Sequence, residues 1–251
     1  MRTYSVVRNT FARPALFILM CCPPLAISAQ MTSVIPLASE PHHHLALHNE
    51  YVNVYEVEVP PRGTVQLHQH EFDAISIMMS NSEVIVRAPD KPDVRQRLSD
   101  GQVRLQRRGY VHSTSIEGDS TYRNVTVELL LPQQGARNLC AAVIASQELN
   151  CPTAGAAPQV PTHKDQAQFE TKETRVTLIR LLPHHSMNVG DPGHSVLVVA
   201  LDTALSATSG ENPKSSMRPG DFVWLDKGAP TRTFKNTSEK EARLVSFIFA
   251  R

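Results

Sequence analysis

Glycine is scarce in this chain, 11 of 251 residues, and no glycine-rich stretch forms a phosphate-binding loop. With so few glycines, the turns must rest on the 18 prolines and on Asn, Asp and Ser. Charge of one sign is also missing. The formal net charge is +1 and no basic run occurs, which argues against a nucleic-acid partner. No Ser–His–Asp or Cys–His arrangement can be assembled from the spacings. Long amphipathic helical stretches between strand-like runs are absent, which excludes a parallel α/β fold. Past the first 29 residues no apolar run is long enough to span a bilayer.

Those 29 residues differ from the rest. They hold Arg2, Arg8 and Arg13, no acidic residue, an apolar stretch from Ala15 to Ile27, and the small residues Ser28 and Ala29. This is the layout of a secretory signal peptide over residues 1–29, cleaved after Ala29 or after Ser28. It implies a periplasmic or secreted protein with no membrane attachment once the leader is gone. The mature chain then has 22 basic against 24 acidic side chains, a formal charge of −2. Of four cysteines, Cys21 and Cys22 leave with the leader, and Cys140 and Cys151 remain. An even pair in an oxidising compartment, closing a short loop, is expected to form a disulfide. In the loop-entropy picture it stabilises by somewhat under ~3 kcal/mol.

The remaining chain repeats itself. Tyr51–Pro60 is an alternating strand ending at a proline pair, and Arg175–Pro183 is a similar strand ending at proline. The Gly101 turn answers Gly220, an offset of 119, and Arg123 answers Arg243, an offset of 120. Between these landmarks lie short runs rich in Val, Ile, Thr and Phe, such as Ala74–Met78, Glu83–Arg87, Ser195–Leu201 and Phe222–Leu225. Such runs, bounded by turn formers, argue for an all-β architecture of two tandem units. The units span 30–135 and 168–251, joined by a linker over 136–167 that holds the two cysteines and one expected helix, Leu139–Gln147. Trp224 and Phe222 alternate with Val223 and read as core.

Chemistry concentrates in the first unit. His68 and His70 are two apart on an extended segment, so both imidazoles point to one face. His112, after Gly109 and Tyr110, is the candidate third ligand. Three imidazoles with an open position suit a catalytic metal, with Zn, Fe, Mn, Ni and Cu all compatible. Glu71 and Asp73 are candidate fourth ligands if a β-bulge turns either inward. Arg62, Arg104 and Tyr110 are candidate contacts for a small anionic ligand. His42, His43 and His44 near the mature N-terminus read as exposed, and His48 as a residue of the rim.

Gly63, His68 and His70, followed by Gly101, Gly109 and His112, resemble the two motifs of the cupin family, with Arg107 where the second turn usually has proline. The resemblance implies two tandem jelly-roll β-barrels, a bicupin joined by the disulfide-stapled linker, over the whole mature chain. Aligning the repeats puts Gly190 under His68, Pro192 under His70 and Thr231 under His112, so the second barrel is expected to hold no metal. The family's frequent glutamate after the second histidine is replaced by Ala74 and Ile75. The resemblance leaves two functional classes open. One is a metal-dependent enzyme on a small organic molecule, of oxygenase or isomerase type. The other is a ligand-binding or structural bicupin without catalysis. Either is compatible with a homodimer.

Overall fold

The computed structural model describes residues 33–139, 142–143, 162–208 and 215–250. The leader, Cys140, Cys151 and most of the expected linker lie outside the described residues. The described chain is built from strands in four antiparallel-dominated sheets, with one 3-10 turn at Leu37–Ser39.

The first five-stranded sheet runs in the order Ile35–Pro36, Thr64–Gln69, Val111–Glu117, Ser82–Arg87, Val94–Leu98. It faces a six-stranded sheet in the order Ala142–Val143, Val103–Gln106, Asp73–Met78, Tyr122–Leu129, Val52–Val59, His43–His48. Another six-stranded sheet, with Thr174–Leu181, Ala242–Phe249 and Ser195–Ala200 at its centre, faces a four-stranded one containing Ser186–Val189 and Arg232–Asn236.

The alternation of side chains explains how these sheets stack. In Val52–Val59, Val52 and Val54 pack on one core while Tyr55, Val57 and Val59 pack on another. Tyr122–Leu129 divides in the same way, with Val125, Val127 and Leu129 on one side and Tyr122 on the other. In Ser195–Ala200, Leu197 and Val199 face one core and Val196, Val198 and Ala200 another. Both six-stranded sheets are therefore buried on two faces. Their backs meet in a shared core containing Val127, Val199, Phe247 and Phe249. A strand buried on both faces reads as a continuous apolar run, as Ser195–Leu201 does.

Trp224 packs against the margin of this shared core, touching Tyr51 and Phe249 at ring-centroid distances of 5.7 and 5.4 Å, but it stays half-buried, as does Phe222, where the sequence reads both as core. Arg243 ties the two halves at one end. Its guanidinium donates to Asp202 at 2.7 Å and to Asp100 at 2.7 Å. It lies against Gly101, where a Cβ would collide with Nη1. The Gly101 turn thus needs glycine both for its φ of +76° and to admit the arginine of the other repeat.

Two expectations are corrected. The span read as a linker carries strands at both ends. Arg137–Asn138 pairs with His163–Glu170, which in turn pairs with Thr174–Leu181. His163–Glu170 is illegible in the sequence because it is a polar strand near the sheet edge, burying only Gln168 and Phe169. The expected helix over Leu139–Gln147 is contradicted at Ala142–Val143, which run extended and parallel to Arg104–Leu105.

Candidate metal centre

Thr64–Gln69 pairs with Val111–Glu117, and the register decides which side chains enter the barrel. Val65 opposes Thr114, but His68 opposes His112, so three steps on one strand match two on the other. The extra residue is a β-bulge. Val65 is buried in the barrel core. Strict alternation from Val65 would turn Leu67 and Gln69 inward and leave His68 and His70 outside. The bulge shifts the phase by one residue, and both histidines become buried, each 1% exposed. The bulge falls before the histidines, not at Glu71 or Asp73 where the sequence suggests one.

His68, His70 and His112 converge, each offering a nitrogen within 4.8 Å of the others. Ring centroids are 4.5 Å apart for His68–His112, 5.1 Å for His68–His70 and 5.3 Å for His70–His112. The Nδ1 of His68 lies 2.8 Å from the Gln66 carbonyl, which only accepts, so Nδ1 carries the proton and Nε2 presents a lone pair. That Nε2 is 3.3 Å from Nε2 of His70. Two imidazole nitrogens bound tetrahedrally to one ion at 2.0–2.1 Å are separated by about 3.3–3.4 Å, so the pair already has the spacing a shared cation requires. Burial pulls the His68 pKa down to about 4 and pulls His70 and His112 well below the ordinary imidazole value. All three are neutral at physiological pH, the state that binds metal.

Beside the rings lies a cavity of about 20 Å³, also lined by Gln106, Asn124 and Thr126. It has room for about one water-sized group. The arrangement is three neutral nitrogen donors, buried in the barrel, with one small and mostly polar cavity next to them.

The other candidate residues separate into several roles. Gly109 N–H donates to the His70 carbonyl at 2.6 Å and His70 N–H donates to the Tyr110 carbonyl, which fastens the two histidine-bearing segments together. Asp73 accepts from Arg108 N–H at 3.0 Å and lies 3.7 Å from the Arg107 guanidinium, so it braces that turn and stands outside the histidine group. Glu71 is exposed and likewise outside the group. Arg62 is exposed and paired with Asp119 at 2.8 Å. Tyr110 stacks on His112 at 4.7 Å. Arg104 is 4% exposed and enters the barrel from the same face of its strand as Gln106.

Sequence reasoning misses Glu40 and misjudges His43. The His43 side chain is 7% exposed, lines the cavity, and sits 5.2 Å from the His68 ring. Its Nδ1 is 2.7 Å from Glu40, whose other carboxylate oxygen accepts the Gln66 N–H inside the bulge at 3.0 Å. Burial raises the Glu40 pKa, but hydrogen bonds from His43, Gln66 and His42 outweigh it and hold the carboxyl below its ordinary value. One buried carboxylate thus holds both the bulge and the wall of the site. The available signal is a glutamate three residues before the middle of a histidine triplet. His44 is exposed, as expected. His48 is exposed as well, with Nδ1 2.7 Å from Asn53. Replacing Glu40 by Ala is expected to destabilise by roughly 2–4 kcal/mol, because the Gln66 donor and His43 lose a charged acceptor. It is also expected to weaken metal binding ten- to a hundredfold. Thermal denaturation and a metal titration of Glu40→Ala, with Glu40→Gln retaining part of both, check this.

The second repeat has Gly190, Pro192 and Thr231 where the first has its histidines. Ser186–Val189 pairs with Arg232–Asn236, the counterpart of the histidine-bearing strand pair, and the aligned Gly190 faces Thr231. A Cβ on Gly190 would lie 3.0 Å from the Thr231 Cα, and its φ is +147°. No second group of metal-ligand side chains occurs among the described residues.

No family profile matches the sequence, and no curated protein matches it significantly. Solved structures do resemble it. One is AerE from Microcystis aeruginosa, at 12% identity over 84% of this chain and 99% of that one, with a TM-score of 0.57. Another is a point mutant of salicylate 1,2-dioxygenase from Pseudoaminobacter salicylatoxidans in complex with gentisate. It matches at 12% identity over 88% of this chain and 77% of that one, TM-score 0.57. A further structure of salicylate 1,2-dioxygenase from that organism matches at 12% identity over 79% of this chain and 71% of that one, TM-score 0.54. Identities this low establish a common fold and nothing finer.

Proposed function

The chain has the cupin fold, and from that premise and the three converging imidazoles we propose that it is an exported, metal-dependent bicupin enzyme acting on a small organic molecule. His68, His70 and His112 would hold one divalent transition metal. The observation that carries the reading is the 3.3 Å separation of two buried Nε2 atoms, with the third ring directly across the strand pair. Bound there, the ion would supply Lewis-acid or redox chemistry, which suits isomerase and oxygenase reactions alike. The chain's own residues keep the rings neutral by burial, fix the His68 tautomer through the Gln66 carbonyl, and exclude bulk water. The likeness to a dioxygenase makes oxygen chemistry the first class to test.

Elemental analysis of protein purified without an affinity tag, followed by oxygen uptake on adding candidate small organic acids, tests the proposal. About one metal per chain and substrate-dependent oxygen consumption or isomerisation support it. Protein that takes up no metal after refolding with Zn, Fe, Mn, Ni or Cu would overturn it.

The small cavity favours one second reading, a ligand-binding or structural bicupin without turnover. One retained metal, no turnover, and a tightly held small molecule would identify it.

Export rests on the first 29 residues, and the mature protein would reside in the periplasm or outside the cell. The Cys140–Cys151 bond follows from that location. Intact mass under non-reducing conditions is expected to be about two mass units below the dithiol form, the two hydrogens lost when the bond closes. Two alkylatable thiols in the native protein would argue against the bond.

A further inference from the structure

The strand faces that build the shared core change character at one end. On Val52–Val59 the face that carries Val52 and Val54 into the shared core continues as Glu56 and Glu58. On Tyr122–Leu129 the face of Val125 and Val127 begins with Arg123. Between that end of the first barrel and the 218–221 turn of the second lies a cavity of about 760 Å³. A second cavity of about 330 Å³ shares Glu56 and Asp221 with it and reaches the rim of the second barrel. Most charges along this groove are matched. Glu58 lies 3.5 Å from the Arg123 guanidinium, and Asp221 accepts from the Arg218 N–H at 2.7 Å and from its guanidinium at 3.3 Å. Two charges are not matched. Glu56 and Arg232 both line the smaller cavity, yet no ion pair joins them, and neither has a charged partner among the described residues. Arg232 is half-buried, on the face of its strand that sends Phe234 into the core of the second barrel. Glu56 is exposed on the wall formed by the first barrel. The surface between them is apolar. Met217 and Val223 come from the core of the second barrel and Phe222 from the margin of the shared core, and all three line the cavity.

We propose that this smaller cavity binds an apolar α-amino acid, with its ammonium against Glu56, its carboxylate against Arg232 and its side chain over Met217, Phe222 and Val223. Opposite charges that line one cavity without meeting leave a gap, and a molecule carrying one charge of each sign bridges it. The guanidinium presents paired N–H donors that match both oxygens of a carboxylate, and the Glu56 carboxylate accepts from an ammonium. A ligand with a single charge satisfies one wall and leaves the other as it was. The volume of about 330 Å³ falls at the lower end of the range for small-molecule pockets, about 300–1,000 Å³, which suits one amino acid better than a peptide. The boundary between two domains is also a common place for such pockets. The site uses none of the three histidines, so it holds or fails independently of the metal-enzyme reading. It gives a function to the second barrel, which has Gly190, Pro192 and Thr231 in place of the ligands.

The test uses full-length mature protein with L-leucine as the probe, read by calorimetric titration and by thermal shift. Two analogues of leucine accompany it: isocaproate, which lacks the ammonium, and isoamylamine, which lacks the carboxylate. Wild type is expected to bind leucine and to bind each analogue about tenfold or more weakly. Glu56→Gln should lower leucine affinity about tenfold and leave isocaproate unchanged, because isocaproate has nothing to offer that wall. Arg232→Gln should lower leucine affinity by a similar factor and leave isoamylamine unchanged. Should Arg232→Gln not fold, Glu56→Gln and the two analogues decide, since Glu56 is exposed and its replacement leaves the core untouched. Leucine affinity should be the same in zinc-loaded protein and in protein stripped by a chelator. No binding of leucine to wild type overturns the proposal, and so does leucine affinity that neither substitution changes. Isocaproate binding as tightly as leucine would make the cavity a plain anion site and overturn it too. Leucine bound only by zinc-loaded protein would place it on the three histidines, which overturns this site and leaves the metal reading standing.

Discussion

His112→Ala is expected to lower metal content from about one ion per chain to near zero while leaving the strands in place. His112 sits directly opposite His68 in the strand pairing, 5% exposed and stacked under Tyr110. Its removal leaves two nitrogen donors, and affinity should fall by about a hundredfold or more, since three protein ligands share the binding free energy. The fold has little reason to fail. The lost imidazole leaves a cavity, but it also removes a buried Nδ1 that has no partner among the described residues. These effects oppose each other, so the metal-free variant should lie within about 1–2 kcal/mol of metal-free wild type. The contrast appears on adding metal. At a thousand times its dissociation constant a metal stabilises wild type by about 4 kcal/mol. For a chain of this size that is a rise of roughly 8–16 °C in melting temperature. His112→Ala should show no such rise. The exposed His44→Ala should behave as wild type, which separates the buried site from adventitious binding at the N-terminal histidines. Unchanged metal content in His112→Ala would dispose of the site assignment.

How legible the molecule is in its sequence differs between the fold and the site. Strands such as Val52–Val59 and Ser195–Ala200 are readable because their apolar residues recur at the period of two or run continuously. The pairing of His68 with His70 is readable for the same reason, since residues two apart share a face whatever the phase. The phase itself is not readable. It is set by a bulge between Val65 and His68, and that bulge depends on a carboxylate 26 residues earlier in the chain. His43 is misread because a histidine triplet near a mature N-terminus looks like solvated surface. In the folded chain His43–His48 is the edge strand of a six-stranded sheet and places its first residue against His68. Glu71 and Asp73 are candidates by proximity alone, and the turn at Arg107–Gly109 claims Asp73. The loss of ligands in the second repeat is visible in the aligned residues. The structure adds that a side chain at position 190 would press on Thr231, with a Cβ 3.0 Å from its Cα, and would have to adopt a φ of +147°. A histidine there would be strained by that φ, so restoring ligands meets a backbone cost that the first repeat does not have.

Acid is expected to unfold the metal-free protein earlier than the metal-loaded one, and the window follows from the imidazoles. In the unfolded chain a histidine titrates near 6.5, whereas His68 in the fold is pulled down to about 4 by burial. Between those values the unfolded chain binds more protons than the folded one, so folding stability rises with pH across the window. The contribution is complete above about 6.5, declines as pH falls, and is exhausted near 4. For His68 alone the difference corresponds to about 3 kcal/mol. His70 and His112 are depressed in the same direction and add to it. Glu40, held below its ordinary value, acts with the same sign at lower pH. Glu128 acts against them. Burial raises its pKa, so the fold loses stability through this group as pH rises past the carboxylate range and regains it on acidification. One carboxyl group does not offset three imidazoles. Chemical denaturation of metal-free protein at pH 7, 6, 5 and 4 should therefore show stability falling by several kcal/mol, most of it between about 6.5 and 4. Metal competes with protons for the same nitrogens, so the loaded protein should keep its stability to lower pH. His68→Ala should flatten the metal-free profile. A profile already flat from about pH 7 to 4.5 in the wild type would mean that the three rings are not buried together, and the metal assignment would fall with it.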